Sequence, residues 1–427
     1  MATLASTLLF VVAAELVGAF HFWWENGTLP YLNHSATAPQ QSAKTESTGF
    51  KQRLHPYFGF AHPYSERGRE YIINNMGFPQ DSPVTVPFVP KKDDFVVMVF
   101  GGSVAANLAA PPQGGLSLQA ALQKLDVLKG KNVIVYSMAQ GSGKQPQQLI
   151  ALSFLLALGQ HIDLVINLDG FNEAALGFNN YAAGMHPILP AAQIIGALAL
   201  KLQQTGEGTA EFYELAYRVS NARTHIARYT KRLPLSSTGL EHIANKLGLA
   251  WNERNLRKYL PRYDAAIKAS GDWTQAKKQL SLDLHYDNAP DDKKYEEVFE
   301  LWLRSSRQMR LLSEVNQIGY VHVIQPYILR SKQRLTKEEE AIARTLPDNH
   351  VYKQPARVVY QMFDDRQDLL KAHGIVSAID LFAEQTQTMY VDPFHYSALG
   401  ETLLAEFVAA AASRWITECH PRTGRRC

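Results

Sequence analysis

Short apolar runs alternate with helix-like segments through the middle and the end of this chain. Residues 95–100, Phe-Val-Val-Met-Val-Phe, are continuously apolar, which is typical of a strand buried on both faces of a sheet. The segments 115–128 and 147–158 have apolar positions at helical spacing. Further strand-like runs occur at 132–138, 162–168, 320–327 and 375–381. The alternation predicts a mostly parallel five-stranded sheet with helices on both faces, because parallel strands need crossover connections.

A long helical stretch interrupts the alternation between the third and the fourth predicted strand. It covers residues 176–317, far more than a crossover requires. Its segments are an apolar run at 188–202 and helical patterns at 211–229, 236–268 and 295–318. We expect a helical insertion or cap, whose last helix returns the chain to the sheet. The α/β domain is then predicted to consist of residues 55–175 and 318–418.

The first 24 residues are mostly apolar and end in the pair Trp23-Trp24. Their length suits a bilayer span and paired tryptophans suit a membrane interface, although Glu15 interrupts the run. A signal peptide cleaved after Val17-Gly18-Ala19 is the alternative, and a buried first helix is the third interpretation. Residues 25–54 are rich in Ser, Thr, Ala, Pro and Gln and predict a linker.

Either of the first two interpretations of residues 1–24 exports the domain that follows. We therefore expect a protein anchored in a membrane through its N-terminal helix and facing the periplasm or the cell exterior. Secretion after signal cleavage is the alternative.

Composition narrows the class of protein. Of 427 residues, 46% are hydrophobic and 19% are charged, as in folded globular proteins. A formal net charge of +3 is too small to indicate nucleic acid as a partner. The two cysteines, Cys419 and Cys427, lie at the C-terminal end, so no disulfide framework holds the fold. The sequence has no His-Glu-x-x-His motif and no Gly-Lys-Ser/Thr after its glycine-rich loop, so we expect neither a metal nor a cofactor.

A candidate nucleophile follows the first predicted strand of the domain. Ser103 stands in Gly101-Gly102-Ser103, directly after residues 95–100. A serine between a strand and a helix exposes its Oγ and places its own N–H at the helix start, where it can stabilise an oxyanion. By itself the motif fits a helix-capping serine better.

A candidate base and its partner lie near the C-terminus, in Asp392-Pro393-Phe394-His395. A carboxylate that accepts a hydrogen bond from one ring nitrogen fixes the tautomer of the imidazole and stabilises the imidazolium. Alone, this could be a helix-entry loop with one of the 14 histidines. Together with Ser103, the two residues predict a Ser-His-Asp triad.

Two loops after the second and third predicted strands supply candidate oxyanion donors. The turn Gly141-Ser142-Gly143 can direct a backbone N–H, that of Gly141, at the site of Ser103. Asn172 can donate from its uncharged side-chain amide. An ordinary turn and a helix cap are the alternatives. The nearby carboxylates Asp169 and Glu173 are interpreted as hydrogen-bond supports.

These four stretches, in this order, resemble the sequence blocks of the SGNH (GDSL-like) hydrolase superfamily. Those blocks are a nucleophilic Ser after Gly-Asp or Gly-Gly, a Gly after the second strand, a Gly-x-Asn and a late Asp-x-x-His. They match Ser103, the Gly141–Gly143 turn, Asn172 and Asp392 with His395. The N-terminal helix, the lead-in to the α/β domain and the insertion are similar to those of the superfamily's membrane-anchored bacterial members.

The resemblance covers about residues 93–175 and 318–415. It implies a flavodoxin-like three-layer α/β/α fold and hydrolysis of esters or acyl groups without a metal. Gly102 stands where many members of the superfamily carry Asp. The oxyanion glycine of the superfamily aligns with either Gly141 or Ser142.

The expected function is that of a serine esterase acting on an acylated carbohydrate of a surface polysaccharide or on a small ester. An acyltransferase is an alternative within the same chemistry. An α/β-hydrolase would explain Gly101–Ala105 as a nucleophile elbow, but its acid and histidine normally come from separate loops. The alternative of a different class is a non-catalytic, membrane-bound accessory or scaffold subunit. The sequence indicates no specific protein partner.

Overall fold

The computed structural model describes residues 2–32, 53–62, 72–81, 84–192, 232–270, 290–330, 334–345 and 350–419, with short stretches between 194 and 230. The chain divides into two compact units. One comprises residues 1–51 and 200–275, and the other comprises residues 52–199 and 276–427. Most of the predicted linker, about half of the predicted helix at 211–229 and Cys427 lie outside the described residues.

The larger unit is built on one five-stranded sheet. The strands in chain order are β1 (Arg53–His55), β2 (Gly59–Ala61), β3 (Ile72–Ile73), β4 (Pro79–Gln80), β5 (Asp94–Gly101), β6 (Asn132–Ala139), β7 (Leu164–Asp169), β8 (Gly319–Ile324) and β9 (Ile375–Ser377). The first four form two antiparallel pairs, and the sheet has the order β6-β5-β7-β8-β9. All of its pairings are parallel, so the predicted sheet is confirmed, with the flavodoxin-like strand order.

The described helices are α1 (Ala2–Asn26), α2 (Ser103–Ala109), α3 (Leu118–Gln123), α4 (Gln147–Ala157), α5 (Phe171–Ala182), α6 (Gly239–Ser270), α7 (Asp291–Val315), α8 (Lys337–Arg344), α9 (Lys353–Asp365), α10 (Gln367–Ala372) and α11 (Ala398–Cys419). Helix α7 precedes β8, as expected of the crossover helix predicted at 295–318. Strand β8 ends at Ile324 rather than at residue 327. Pro326 follows it and has no N–H for a central strand.

Both faces of the sheet are covered. Phe95, Val97 and Val99 of β5 belong to one buried apolar cluster. The alternate side chains, such as Val96 and Met98, belong to a second cluster. Successive side chains of a strand point to opposite faces, so the interior strand β5 is buried on both sides. This explains its continuous apolar sequence.

The smaller unit is organised by α1 packing beside α6. Ala19 and Phe22 of α1 are buried. The Glu15 carboxylate accepts hydrogen bonds from the backbone N–H groups of Gly239 and Leu240, each at 2.7 Å. Both N–H groups belong to the first turn of α6. In the first turn of a helix, the N–H groups have no carbonyl acceptor within that helix. A charge that interrupts the apolar N-terminal run therefore caps a neighbouring helix.

None of the helices that the structure describes has the length and apolar character needed to cross a membrane. Attachment to a membrane through residues 1–24 stays a prediction.

Candidate active site

The site lies at the carboxyl ends of the parallel strands. Strand β5 ends at Gly101 and α2 begins at Ser103, so the chain must turn within one residue. Gly101 has a φ of +145°, and a Cβ there would come within 2.0 Å of the Leu168 carbonyl oxygen. Only glycine fits this close approach between β5 and β7. The turn places Ser103 at the carboxyl end of the parallel strands.

Ser103, His395 and Asp392 form one hydrogen-bonded chain. The Ser103 Oγ lies 2.7 Å from His395 Nε2. His395 Nδ1 lies 2.7 Å from the Asp392 Oδ2. The imidazole and carboxylate side chains are 28% and 45% exposed, so a ligand can reach this arrangement from solvent. The structure thus brings together the three residues that the sequence selected from opposite ends of the domain.

Asp392 also organises the loop that carries the histidine. Its Oδ1 accepts hydrogen bonds from the backbone N–H of Phe394 at 2.8 Å and of His395 at 2.9 Å. Burial alone would raise the pKa of Asp392, but the hydrogen bond and the charge of His395 outweigh it and keep the pKa below its ordinary value. The carboxylate is therefore ionised when it orients the imidazole.

The Asn172 amide lies directly beside the nucleophile. Its Nδ2 donates to the Gly143 carbonyl oxygen at 2.8 Å. A Cβ on Gly102 would come within 2.2 Å of that same Nδ2. Gly102 therefore provides the space that the Asn172 amide occupies. An amide nitrogen has two N–H groups, and the bond to Gly143 uses one of them.

The glycine-rich turn after β6 contacts Asn172 through a backbone group, the Gly143 carbonyl oxygen. The Gly143 N–H is bound to the Gln140 carbonyl oxygen at 3.0 Å, so it closes the turn. A Cβ on Gly141 would meet nothing within 4 Å, so this position faces open space. Ser142 has a φ of 64°, in the left-handed region, which makes the turn tight.

Glu173 ties the two candidate oxyanion loops together. Its Oε1 accepts from the Gln145 N–H at 2.9 Å, and its Oε2 accepts from the Gly170 N–H at 2.8 Å. Burial and the charge of Asp169 raise the pKa of Glu173 above its ordinary value. The adjacent Lys144 is also buried and donates to the carbonyl oxygens of Gln145 and Pro187.

A second Ser–His–Asp arrangement, which sequence reasoning did not identify, lies inside the same unit. Ser306 Oγ is 2.6 Å from His322 Nδ1, and His322 Nε2 is 2.7 Å from the Asp169 Oδ1. The Trp302 Nε1 also donates to Asp169 Oδ1, at 2.7 Å. The His322 and Asp169 side chains are fully buried. The sequence feature that could have revealed this arrangement is His322, a polar residue within the otherwise apolar strand β8.

An aromatic cluster borders the exposed triad. Phe394, the residue before the histidine, packs on Phe171 with ring centroids 4.5 Å apart. Tyr352 lies 6.4 Å from Phe394, nearly perpendicular to it. Phe394 and Tyr352 are only partly buried, so this side of the site offers flat apolar surface to a ligand.

Neither models of protein families nor curated protein sequences match this chain.

Proposed function

We propose that this protein is a serine esterase of the SGNH type. The observation that carries the proposal is the solvent-accessible chain from Ser103 through His395 to Asp392, with both hydrogen bonds at 2.7 Å. A hydroxyl at hydrogen-bond distance from an oriented imidazole is the arrangement that activates serine as a nucleophile.

The proposed reaction begins with attack of Ser103 Oγ on the ester carbonyl carbon, while His395 Nε2 takes the hydroxyl proton. His395 then returns this proton to the departing alcohol, and the C–O bond of the ester breaks. A water molecule attacks the acyl-serine with the same imidazole as base, which releases the acid and regenerates the serine. Asp392 stays ionised throughout and stabilises the imidazolium.

The oxyanion of the tetrahedral intermediate requires donors on the face next to Ser103. We assign this role to the N–H groups of Ser103 and Gly141 and to the side chain of Asn172. The contact of the Asn172 amide with Gly102 supports the assignment, since it fixes a neutral donor within one residue of the nucleophile.

An acylated carbohydrate is the substrate that the surroundings of the site favour. The partly exposed ring of Phe394 lies 6.5 Å from that of His395, and Tyr352 lies next to Phe394. These two rings offer surfaces on which the C–H face of a sugar can pack. A small ester that uses only the triad remains the second substrate class.

We further propose that residues 1–24 hold the exported domain at a membrane. The support is the apolar surface of α1, on which Leu16 and Val17 are each 64% exposed and Trp24 is 75% exposed. Recovery of the chain in the membrane fraction after expression tests this, and an intact chain in the soluble cytoplasmic fraction contradicts it.

The test of the proposed activity combines covalent labelling with a substrate series. A fluorophosphonate should label wild-type protein but not Ser103→Ala, and p-nitrophenyl esters of increasing chain length should show which acyl group is accepted. Release of free acid from an acetylated polysaccharide, without an added alcohol acceptor, distinguishes hydrolysis from acyl transfer. A folded protein that neither reacts with the probe nor cleaves any of these esters would indicate the accessory or scaffold role instead.

A further inference from the structure

Two histidines and a glutamate meet where α1 packs beside α6. His21 and Glu25 lie one turn apart on α1, so their side chains share a face of that helix. His242 is on the first turn of α6. All three residues belong to the smaller unit, away from the proposed hydrolase chemistry.

The three nearest ligand atoms form a compact triangle. His21 Nδ1 is 3.2 Å from His242 Nε2. Glu25 Oε2 is 3.6 Å from His21 Nδ1 and 3.4 Å from His242 Nε2. A tetrahedral zinc ion with bonds of about 2.0–2.1 Å separates its ligands by roughly 3.3–3.4 Å. The triangle therefore has the edge lengths of one face of a zinc tetrahedron.

The surroundings prepare these atoms to bind a cation. The His242 side chain is only 1% exposed, so its ring is held in place where α1 and α6 meet. Lys246 bonds the other carboxylate oxygen of Glu25, Oε1, which leaves Oε2 directed at the two histidines. An outer cation of this kind fixes a ligating carboxylate in place.

We propose that His21, Glu25 and His242 form a binding site for a divalent transition metal, with Zn²⁺ as the preferred ion. Two imidazoles and one carboxylate favour zinc over Mg²⁺ or Ca²⁺, which take oxygen ligands. The fourth position is open to water. The ion joins α1 to α6, so its role is to brace the smaller unit.

Metal titration of the purified full-length chain, stripped with a chelator, tests the site. Wild-type protein should bind one equivalent of Co²⁺ with the intense visible absorption of tetrahedral coordination, and Zn²⁺ should displace it. Zn²⁺ should also raise the melting temperature by several degrees, since binding to the folded state alone stabilises it. Wild-type protein without a tetrahedral Co²⁺ spectrum would overturn the proposal.

Variants locate the ion. His21→Ala and Glu25→Gln change side chains that are 52% and 36% exposed, so both variants should fold, and each should weaken metal binding at least ~10-fold. His161→Ala is the matched control, because His161 is similarly exposed, at 54%, and faces a single carboxylate, that of Asp163. Binding that survives unchanged in folded His21→Ala places the ion elsewhere and overturns the assignment. Esterase activity is not part of this readout, so the result is independent of the proposed function.

Discussion

The two Ser–His–Asp arrangements of the larger unit have nearly the same spacing and opposite surroundings. In the exposed set, His395 lies 2.7 Å from both Ser103 and Asp392. In the buried set, His322 lies 2.6 Å from Ser306 and 2.7 Å from Asp169. The imidazole of the exposed set uses Nε2 for its serine, whereas that of the buried set uses Nδ1. Only the exposed set has Asn172 and the glycine-rich turn beside it.

The buried set has a structural role. Asp169 already accepts from Trp302, and Ser306 also lies 3.1 Å from the Tyr320 hydroxyl. These contacts join α7 to β7 and β8, so they hold the crossover helix on the sheet. Three residue types at hydrogen-bond spacing therefore do not define an active site. Access for a substrate and donors for the developing charge are what distinguish one set from the other.

The largest expected effect separates the two serines. Ser103→Ala should lower kcat for a p-nitrophenyl ester by about 10⁴–10⁶, because the nucleophile is lost. The matched variant Ser306→Ala should keep near-normal turnover. It should lose about 1–3 kcal/mol of unfolding free energy, because the buried His322 Nδ1 loses its hydrogen-bond partner. Turnover and denaturant unfolding on both proteins measure this. Equal loss of activity in the two variants would remove the distinction.

Asn172→Ala tests the donor that only the exposed set possesses. We expect kcat to fall by about 10²–10³ with KM nearly unchanged, since an oxyanion donor acts in the transition state. The lost bond to Gly143 should reduce unfolding free energy by about 0.5–1.5 kcal/mol. A destabilised variant with full turnover would show that Asn172 has only a structural role.

A pair of glycine variants sharpens the same point. Gly102→Ala places a methyl group 2.2 Å from the Asn172 Nδ2, so the amide must move. We expect about a 10-fold or greater loss of kcat, approaching that of Asn172→Ala. Gly141→Ala adds its methyl group to open space and keeps the backbone N–H, so its melting temperature should match wild type. If Gly102→Ala is as active as wild type, the position of the amide does not matter.

A pH effect is expected from the buried carboxylate of Glu173. Folding raises the pKa of Glu173 above its ordinary value of 4.5, so between these two pKa values the folded state holds a proton that the unfolded state has released. Raising the pH through this window should therefore reduce stability, by at most about 1.4 kcal/mol per pH unit. Glu173→Gln should flatten this slope in unfolding experiments from pH 5 to pH 8. An unchanged slope would assign the pH dependence to other groups.

Sequence reasoning recovered the sheet because buried parallel strands have continuous apolar runs that hydropathy reveals, as in β5 and β7. It also selected Ser103 and Asn172, because each directly follows the end of a strand, and Asp392 with His395, because their motif is local. It missed the buried set because Asp169, His322 and Ser306 meet only through the pairing of β7 with β8 and the packing of α7. It missed the His21–Glu25–His242 cluster for a related reason, since α1 and α6 are separated by more than 200 residues.

The closeness of Gly102 to the Asn172 amide has a consequence for which residues position 102 tolerates. A Cβ at position 102 would come within 2.2 Å of the Asn172 Nδ2, which stands at the far end of a side chain that can rotate. A variant with Asp at position 102 must therefore seat Asn172 in another rotamer or shift the loop that bears it. The glycine at 102 thus sets where this loop holds its amide, and a substitution there changes the position of residue 172 without changing its identity.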